Sequence, residues 1–275
     1  MARNQTFTFF AAVALLMVAQ SSQVYAQKKK AAAEATAHNA KGIELLQLGA
    51  NDQAVLEFTQ AIEASPKDFR IYKNRAKALR AAQKIPEALA DFTKAIELAP
   101  TDPDAYSERG ATLVVQNQVE PGLADLNKAL ELKPNDPLTL ERRGLAYYKL
   151  KNYEASMADL DNAVSLNPTS VKALNQRADT LVAMNQLERA AADLEAVLKL
   201  KSDDFSAEDR LQNVRSRLAK PAAAPVAATP PPTPTPKPPL KLLTRTNIFI
   251  AIGAFLLVAI IAIFIAKALA TRSSD

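Results

Sequence analysis

Apolar residues recur with helical spacing through the middle of the chain, in short runs separated by polar turns. Prolines return every 34 residues, at Pro66, Pro100, Pro134 and Pro168. Within each interval, two runs carry apolar residues three and four positions apart, which is the spacing of one buried helix face. Helix pairs that repeat with such a period cannot bury their faces alone, so the pattern predicts an all-α stack of helix-turn-helix units.

Each repeating unit has small and large residues at fixed places. The units are 35–68, 69–102, 103–136, 137–170 and 171–204. Small residues stand in the first helix at Gly42, Ala76, Gly110, Gly144 and Ala178, and large ones in the second helix at Phe58, Phe92, Leu126, Leu160 and Leu194. Small residues let two helix axes approach closely, and large residues fill the remaining space.

This arrangement resembles the tetratricopeptide-repeat (TPR) family over all five units, although other residues replace the family's early Trp. The resemblance implies a TPR solenoid over residues 35–204. It also identifies 205–220 with the helix that caps many TPR stacks, with Leu211, Val214 and Leu218 along its apolar face. His38 then occupies a packing position in the first helix.

A second regularity concerns charge. One position in each first helix is basic, and the position 16 residues later, in the second helix, is acidic. The pairs are Lys41 with Glu57, Arg75 with Asp91, Arg109 with Asp125, Arg143 with Asp159, and Arg177 with Asp193. A catalytic role would require five identical active sites in one chain. We therefore expect structural ion pairs that fix helix register, within a unit or between neighbours.

The N-terminal segment has the pattern of a cleavable export signal. Arg3 precedes the apolar run 7–19, and the small-residue site 24–26 follows. Such a run rises only about 20 Å as a helix, too short to cross a bilayer. The pattern predicts a signal peptide over 1–26 and a short linker over 27–34, although the lysines directly after the cleavage site disfavour export.

The C-terminal segment has the pattern of a tethered membrane anchor. Residues 221–247 form a Pro-rich linker, and the nine prolines in 221–240 favour an extended polyproline II spacer. Ile248–Ala266 then gives 19 residues without a charge, about 28 Å of helix, bounded by basic residues on both sides. We predict one transmembrane helix there and a short tail at 267–275.

Composition narrows the range of functions. The chain has no Cys, no Trp and a single His, which excludes disulfides, a Cys nucleophile and thiolate metal sites. The net charge of +5 resides in the terminal segments, where basic residues flank apolar runs, so nucleic acid is not an expected partner. Gly-rich phosphate loops and metal-ligand clusters are absent from the sequence. We expect no enzymatic activity and no cofactor.

The TPR resemblance further implies a partner-binding groove lined by the first helices. The positions that it assigns to the groove include Asn39, Ile43, Arg70, Lys73, Lys77, Arg80, Ser107, Tyr148, Lys149 and Asn175. Repeat 2 places four of these cations on one helix face, with no acid among them. Two interpretations stay open: a solvated face, or a basic subsite for an acidic segment of a protein or peptide partner.

Two hypotheses about the whole protein follow. The first is an exported scaffold, anchored as a single-pass protein in a bacterial inner membrane, with its repeats in the periplasm. The second is a cytosol-facing adaptor whose C-terminal helix serves as a tail anchor. The basic flanks of the anchor are too similar to decide its orientation, and the signal-like start favours the first hypothesis.

Overall fold

The computed structural model describes residues 2–219, and this part of the chain consists of helices and the short turns that connect them. Its helices are α1 (Ala2–Gln47), α2 (Asn51–Ala64), α3 (Phe69–Ala81), α4 (Ile85–Leu98), α5 (Pro103–Val115), α6 (Val119–Leu132), α7 (Pro137–Lys149), α8 (Tyr153–Leu166), α9 (Val171–Ala183), α10 (Leu187–Leu200) and α11 (Phe205–Ala219). Consecutive helices pack on one another from α1 to α11. The predicted helix-pair stack is confirmed.

The predicted terminal segments lie mostly beyond this stack. Within residues 2–219, no helix combines the length and the apolar character needed to cross a bilayer. The Pro-rich linker 221–247, the transmembrane helix 248–266 and the tail 267–275 lie outside the described residues.

Helix α1 is longer than one repeat requires. It runs without interruption through 27–34, so the segment predicted as a linker is helical instead. The physical reason is local composition, because Lys, Ala and Glu are strong helix formers and dominate this stretch. Lys30 and Glu34 add a pair one helical turn apart, with 3.8 Å between Nζ and Oε1.

The same turn ends the first helix of every repeat. One residue adopts a left-handed backbone conformation at each repeat, namely Gly49, Gln83, Asn117, Lys151 and Asn185. In repeat 2, the Gln83 amide donates to the carbonyl of Arg80, and the Lys84 amide donates to that of Leu79. These bonds form a Schellman cap, which satisfies two carbonyls at the helix end and reverses the chain toward the second helix.

The core is as periodic as the turns. Five large side chains of the second helices are fully buried, at Phe58, Phe92, Leu126, Leu160 and Leu194. Repeat 3 shows how closely the small residues fit, because a Cβ on Gly110 would lie 2.8 Å from the carbonyl oxygen of Gly122. The small residues of the first helix and the large residues of the second helix therefore pack the two helices of one repeat against each other.

Candidate partner-binding face

In each of the five repeats, the basic residue of the first helix contacts the acidic residue that lies 16 positions later in the second helix. Each of the four arginines makes two parallel hydrogen bonds to one aspartate, at distances of 2.6–2.8 Å. In repeat 3, Arg109 donates from Nε to Asp125 Oδ2 at 2.7 Å and from Nη2 to Oδ1 at 2.8 Å. This forked geometry is the strong form of the arginine–carboxylate pair.

Each arginine also reaches backward to the preceding repeat. Its Nη1 donates to an acceptor 16 residues earlier, at Thr59, Thr93, Asn127 and Asp161 in turn. One guanidinium thus connects the second helices of two consecutive repeats through the first helix between them. The backward acceptor has a sequence signal, an oxygen-bearing residue every 34 positions, which was not singled out from the sequence.

The first repeat has a looser version of this pair. Lys41 Nζ lies 2.6 Å from Glu57 Oε1, and the Lys41 side chain is 62% exposed. His38 Nδ1 lies 2.7 Å from Glu57 Oε2, so the histidine is a hydrogen-bonding residue and not only a packing one. The hydrogen bonds from Lys41 and His38 hold the pKa of Glu57 below its ordinary value, against a smaller opposing effect of burial.

Each of the four cations of repeat 2 has an acidic side chain close to it in space. Arg70 pairs with Asp68, the residue that caps its own helix, at 2.7 Å. Lys73 Nζ lies 2.7 Å from Asp102 Oδ2 and 3.4 Å from Asp104 Oδ2. The remaining two cations face a single glutamate of repeat 3. Acids from the neighbouring segments therefore neutralise much of the predicted basic face.

Glu108 is that glutamate, and it lies at the centre of the remaining positive charge. Its carboxylate is buried and faces three cations: Lys77 Nζ at 3.5 Å, Arg80 Nη1 at 2.8 Å and Arg142 Nη2 at 3.0 Å. Three positive charges surround one negative charge, which leaves a local excess of two. Burial alone would raise the pKa of Glu108, but Arg142, Arg80 and Lys77 outweigh it and lower the pKa to about 2.

Hydroxyl groups hold this cluster in place. Arg80 Nη1 donates to Thr112 Oγ1 at 3.1 Å, and Arg142 Nη1 donates to Ser107 Oγ at 2.8 Å. Ser107 in turn shares a 2.8 Å hydrogen bond with Thr139, whose amide donates to Asp136. The cations of α3 and α7 are therefore oriented by hydroxyl groups of α5, the first helix of the repeat between them.

An open cleft of about 260 Å³ adjoins the cluster. Its apolar lining comes from Ile85, Ala111, Val114, Val115 and Leu145, and its cationic lining from Arg80, Arg142 and Lys172. Val115 is 67% exposed, so the cleft offers apolar surface beside its charges. We call this surface the central cleft.

The other residues predicted for the groove have different environments. Asn39 accepts a hydrogen bond from Asn74, and Asn175 accepts one from Arg210 of α11. Tyr148 is half-buried, with its ring 5.7 Å from that of Tyr153. Ile43 and Lys149 are exposed. These residues lie along several repeats and do not converge on one site.

Glu108 and Arg142 belong to this region but were not predicted from the sequence as site residues. Their signal is a reversal of charge between equivalent positions of repeats 3 and 4, which is visible when the repeats are aligned. Across residues 2–219, no group of three His, Asp or Glu side chains has an arrangement that could hold a metal ion.

Family comparisons agree with the repeat pattern. One tetratricopeptide-repeat model matches residues 39–103, and a second matches residues 139–170 and 171–204. No curated protein is significantly similar to the chain in sequence.

Solved structures resemble the described helices. TTC0263, a thermophilic TPR protein of Thermus thermophilus, is 21% identical, with a TM-score of 0.57; the match covers 66% of this chain and 99% of that one. PilW, a type IV pilus biogenesis factor, is 18% identical, with a TM-score of 0.61 and coverage of 66% and 86%. YrrB, a TPR protein with an unusual peptide-binding site, is 18% identical, with a TM-score of 0.51 and coverage of 64% and 90%. These likenesses concern the fold.

Proposed function

Because the described part of this chain is an array of tetratricopeptide repeats, we propose that the protein is a scaffold that binds a segment of another protein in the central cleft. The observation that carries the proposal is the exposed apolar side chain of Val115 beside a cluster in which three cations face the single acid Glu108. Ligand sites are commonly mostly apolar, with a few polar groups that fix orientation. The central cleft has this composition.

The charge favours an acidic segment. Glu108 neutralises only one of its three cations, and Arg80 and Arg142 also line the cleft. A carboxylate of the partner would accept hydrogen bonds from guanidinium groups that Thr112 and Ser107 already orient. Preorganised groups lose less conformational entropy on binding.

The lining favours an apolar residue beside that acid. Ala111, Val114, Val115 and Leu145 form the apolar lining next to the cations. Covering the exposed Val115 side chain would remove apolar surface from water, at about 25 cal/mol per Å². The segment that we propose therefore carries an acidic side chain next to an aliphatic or aromatic one.

Selection from a displayed library of random peptides, each about 12 residues long, tests this proposal on the full chain in detergent micelles. We expect enrichment of peptides with an acidic and an apolar residue as neighbours. The variant Lys77→Ala/Arg80→Ala removes two cations but leaves the 3.0 Å pair between Arg142 and Glu108. It should weaken binding of a selected peptide by about tenfold.

The matched control is Lys94→Ala/Lys128→Ala, which removes two exposed lysines of second helices that pair with Glu97 and Glu131. This control should bind the peptide as the wild type does. Binding should also weaken as salt rises, because the Debye length falls from about 10 Å at 0.1 M to about 3 Å at 1 M. Equal affinities of the two double variants would refute a site in the central cleft.

We also propose that the scaffold is held at a membrane by the apolar segment 248–266. The supporting feature is the 19-residue run without a charge, which follows a Pro-rich segment suited to hold the repeats away from a bilayer. Extraction of cell membranes with alkaline carbonate tests this directly. The full chain should stay in the pellet, and a chain truncated after Leu240 should move to the supernatant. Release of the full chain by carbonate would contradict the anchor.

A further inference from the structure

The step between repeats 4 and 5 differs from its neighbours. At three other steps, a side chain of one helix hydrogen-bonds to the residue 35 positions earlier: Asn74 to Asn39 at 3.0 Å, Arg142 to Ser107 at 2.8 Å, and Arg210 to Asn175 at 2.7 Å. The equivalent residues here are Glu141 and Gln176. Among the described residues, Glu141 Oε1 and Gln176 Oε1 are the buried side-chain atoms that lack a hydrogen-bond partner.

The Glu141 carboxylate is buried, and one of its two oxygen atoms makes no hydrogen bond. Only 4% of the residue is exposed. Its Oε2 accepts a hydrogen bond from Ser170 Oγ at 3.2 Å. Lys172 Nζ lies 2.7 Å from Oε1, but its orientation makes no hydrogen bond. Oε1 therefore has an ion-pair contact of poor hydrogen-bond geometry, and a cation with better-aligned donors would bind it more strongly.

Other buried acids of the stack are satisfied by arginine. Asp125 and Asp159 each receive two hydrogen bonds from one guanidinium, and Glu108 receives one from Arg80. Glu141 has Lys172 instead, whose side chain is 62% exposed. Because most of the Lys172 side chain lies in solvent, a competing cation can displace its ammonium without opening the helix packing.

Glu141 lines a cleft of about 110 Å³ between α7, α8 and α9. Pro137, Leu138, Ala163 and Ala173 supply apolar walls, and Asn167 and Ser170 also line the cleft. Apolar walls suit the aliphatic part of a long basic side chain, while the carboxylate suits its charged end. Leu138 is 46% exposed and forms an accessible edge of this cleft.

We propose that the Glu141 cleft binds a lysine or arginine side chain of the partner segment. This inference rests on the proposed function and adds a second, oppositely charged subsite to it. Glu141 and Arg142 are consecutive residues of α7, so the two subsites share one helix. A bound segment would place an acid against Arg142 and a base against Glu141, with the base displacing Lys172. Opposite charges at two points also fix the direction in which the segment binds.

The peptide library on the full chain in micelles is the probe, with two single variants. Wild type should enrich a Lys or Arg at a fixed distance from the acidic residue. Glu141→Gln should lose enrichment of that base, retain enrichment of the acid, and bind a wild-type-selected peptide about tenfold more weakly. Glu154→Gln, which neutralises an exposed acid of α8 outside both subsites, is the matched control and should bind the peptide as the wild type does.

The outcomes separate the two proposals. Peptides enriched in an acid but without a fixed base would overturn the Glu141 subsite and leave the central cleft standing. A library without any enriched sequence would overturn both. If Glu154→Gln weakens binding as much as Glu141→Gln does, the loss comes from net charge and the subsite is refuted. A thermal melt by circular dichroism on each variant verifies that the helices remain folded.

Discussion

An arginine at the repeated basic position makes hydrogen bonds to two helices, whereas the lysine of repeat 1 contacts one. The guanidinium of Arg109 makes a fork with Asp125 and still has Nη1 available for Thr93 of the preceding repeat. The hydrogen bond to Asp125 holds the pKa of Arg109 above its ordinary value. Lys41 has a single ammonium, which contacts Glu57. The geometry of the side chain therefore sets how many helices one residue can join.

Replacing these two residues should have unequal effects. Arg109→Ala leaves Asp125 buried without its partner, which typically costs about 3–5 kcal/mol. Lys41→Ala should cost less, because it removes a largely exposed lysine and leaves Glu57 hydrogen-bonded to His38. Urea unfolding followed by circular dichroism measures both. The double variant Arg109→Ala/Asp125→Ala should recover part of the loss. Equal, small losses for the two single variants would show that the arginine pairs do not stabilise the stack.

Acid should weaken the cluster around Glu108. The pKa of this carboxylate is about 2 in the folded chain, lower than the 4.5 of an ordinary glutamate. The ionised Glu108 carboxylate therefore stabilises the folded chain by an amount of the order of 3 kcal/mol. This stabilisation is complete above the ordinary glutamate pKa and is lost as the pH falls toward the pKa of Glu108 in the folded chain. We expect the unfolding free energies of wild type and Glu108→Gln to differ at neutral pH and to converge over that interval. A constant difference over the whole interval would contradict this.

Between helices, one type of turn recurs with different residues. The left-handed position is glycine in repeat 1 but Gln83, Asn117, Lys151 and Asn185 in the others. Asparagine tolerates this conformation better than glutamine or lysine, because its short side chain bonds locally. The Schellman hydrogen bonds are present in repeat 2 nevertheless. Helix capping and the packed second helix thus impose a conformation that Gln83 alone would not prefer.

Glycine at this turn should stabilise the protein. Gln83 has a φ of +61°, so Gln83→Gly removes a steric cost of about 1–2 kcal/mol, less the entropy that glycine adds to the unfolded chain. A small net gain should appear as a higher urea midpoint. The matched variant is Gln116→Gly, at a helix end where φ is −78°; it should lower the midpoint because only the entropic penalty remains. If both variants shift the urea midpoint in the same direction, the left-handed conformation of Gln83 carries no steric cost.

For the molecule as a whole, the structure describes the repeats, whereas the cleavage of the N-terminus and the membrane anchor rest on the sequence. The repeats form one compact unit. The signal peptide over 1–26 and the anchor over 248–266 stay predictions, and with them the location of the repeats on the periplasmic side of a bacterial inner membrane. That α1 continues through residue 26 describes its conformation and does not bear on whether the chain is cleaved there.

Protease digestion of spheroplasts measures on which side of the membrane the repeats lie. We expect the mature chain to begin at Gln27 and protease added to spheroplasts to digest the repeats, while a tag after Asp275 stays protected in the cytoplasm. N-terminal sequencing of the membrane-bound protein and blotting for the tag give the two results. Sequencing that returns Met1 or Ala2, together with repeats that survive the protease, would favour the tail-anchored adaptor.

Sequence periodicity was enough to predict the helices, the large buried residues and the ion-pair positions, because each follows from a spacing that recurs five times. The 34-residue period and the 16-residue offset act within one or two helices, where backbone geometry decides which residues meet. The same spacing places four cations on one face of repeat 2, but it does not show which acids of neighbouring segments pair with them.

Which charges remain available depends on how the repeats pack. Lys73 contacts Asp102 and Arg80 contacts Glu108 because α5 and the residue that caps its N-terminus present these acids to α3. The angle between neighbouring repeats sets this contact, and it arises from core packing over both units rather than from any local spacing. The same packing leaves three cations around Glu108 and leaves Glu141 Oε1 without a hydrogen bond. Whether a charged residue is neutralised or available to a partner is therefore a property of the stack.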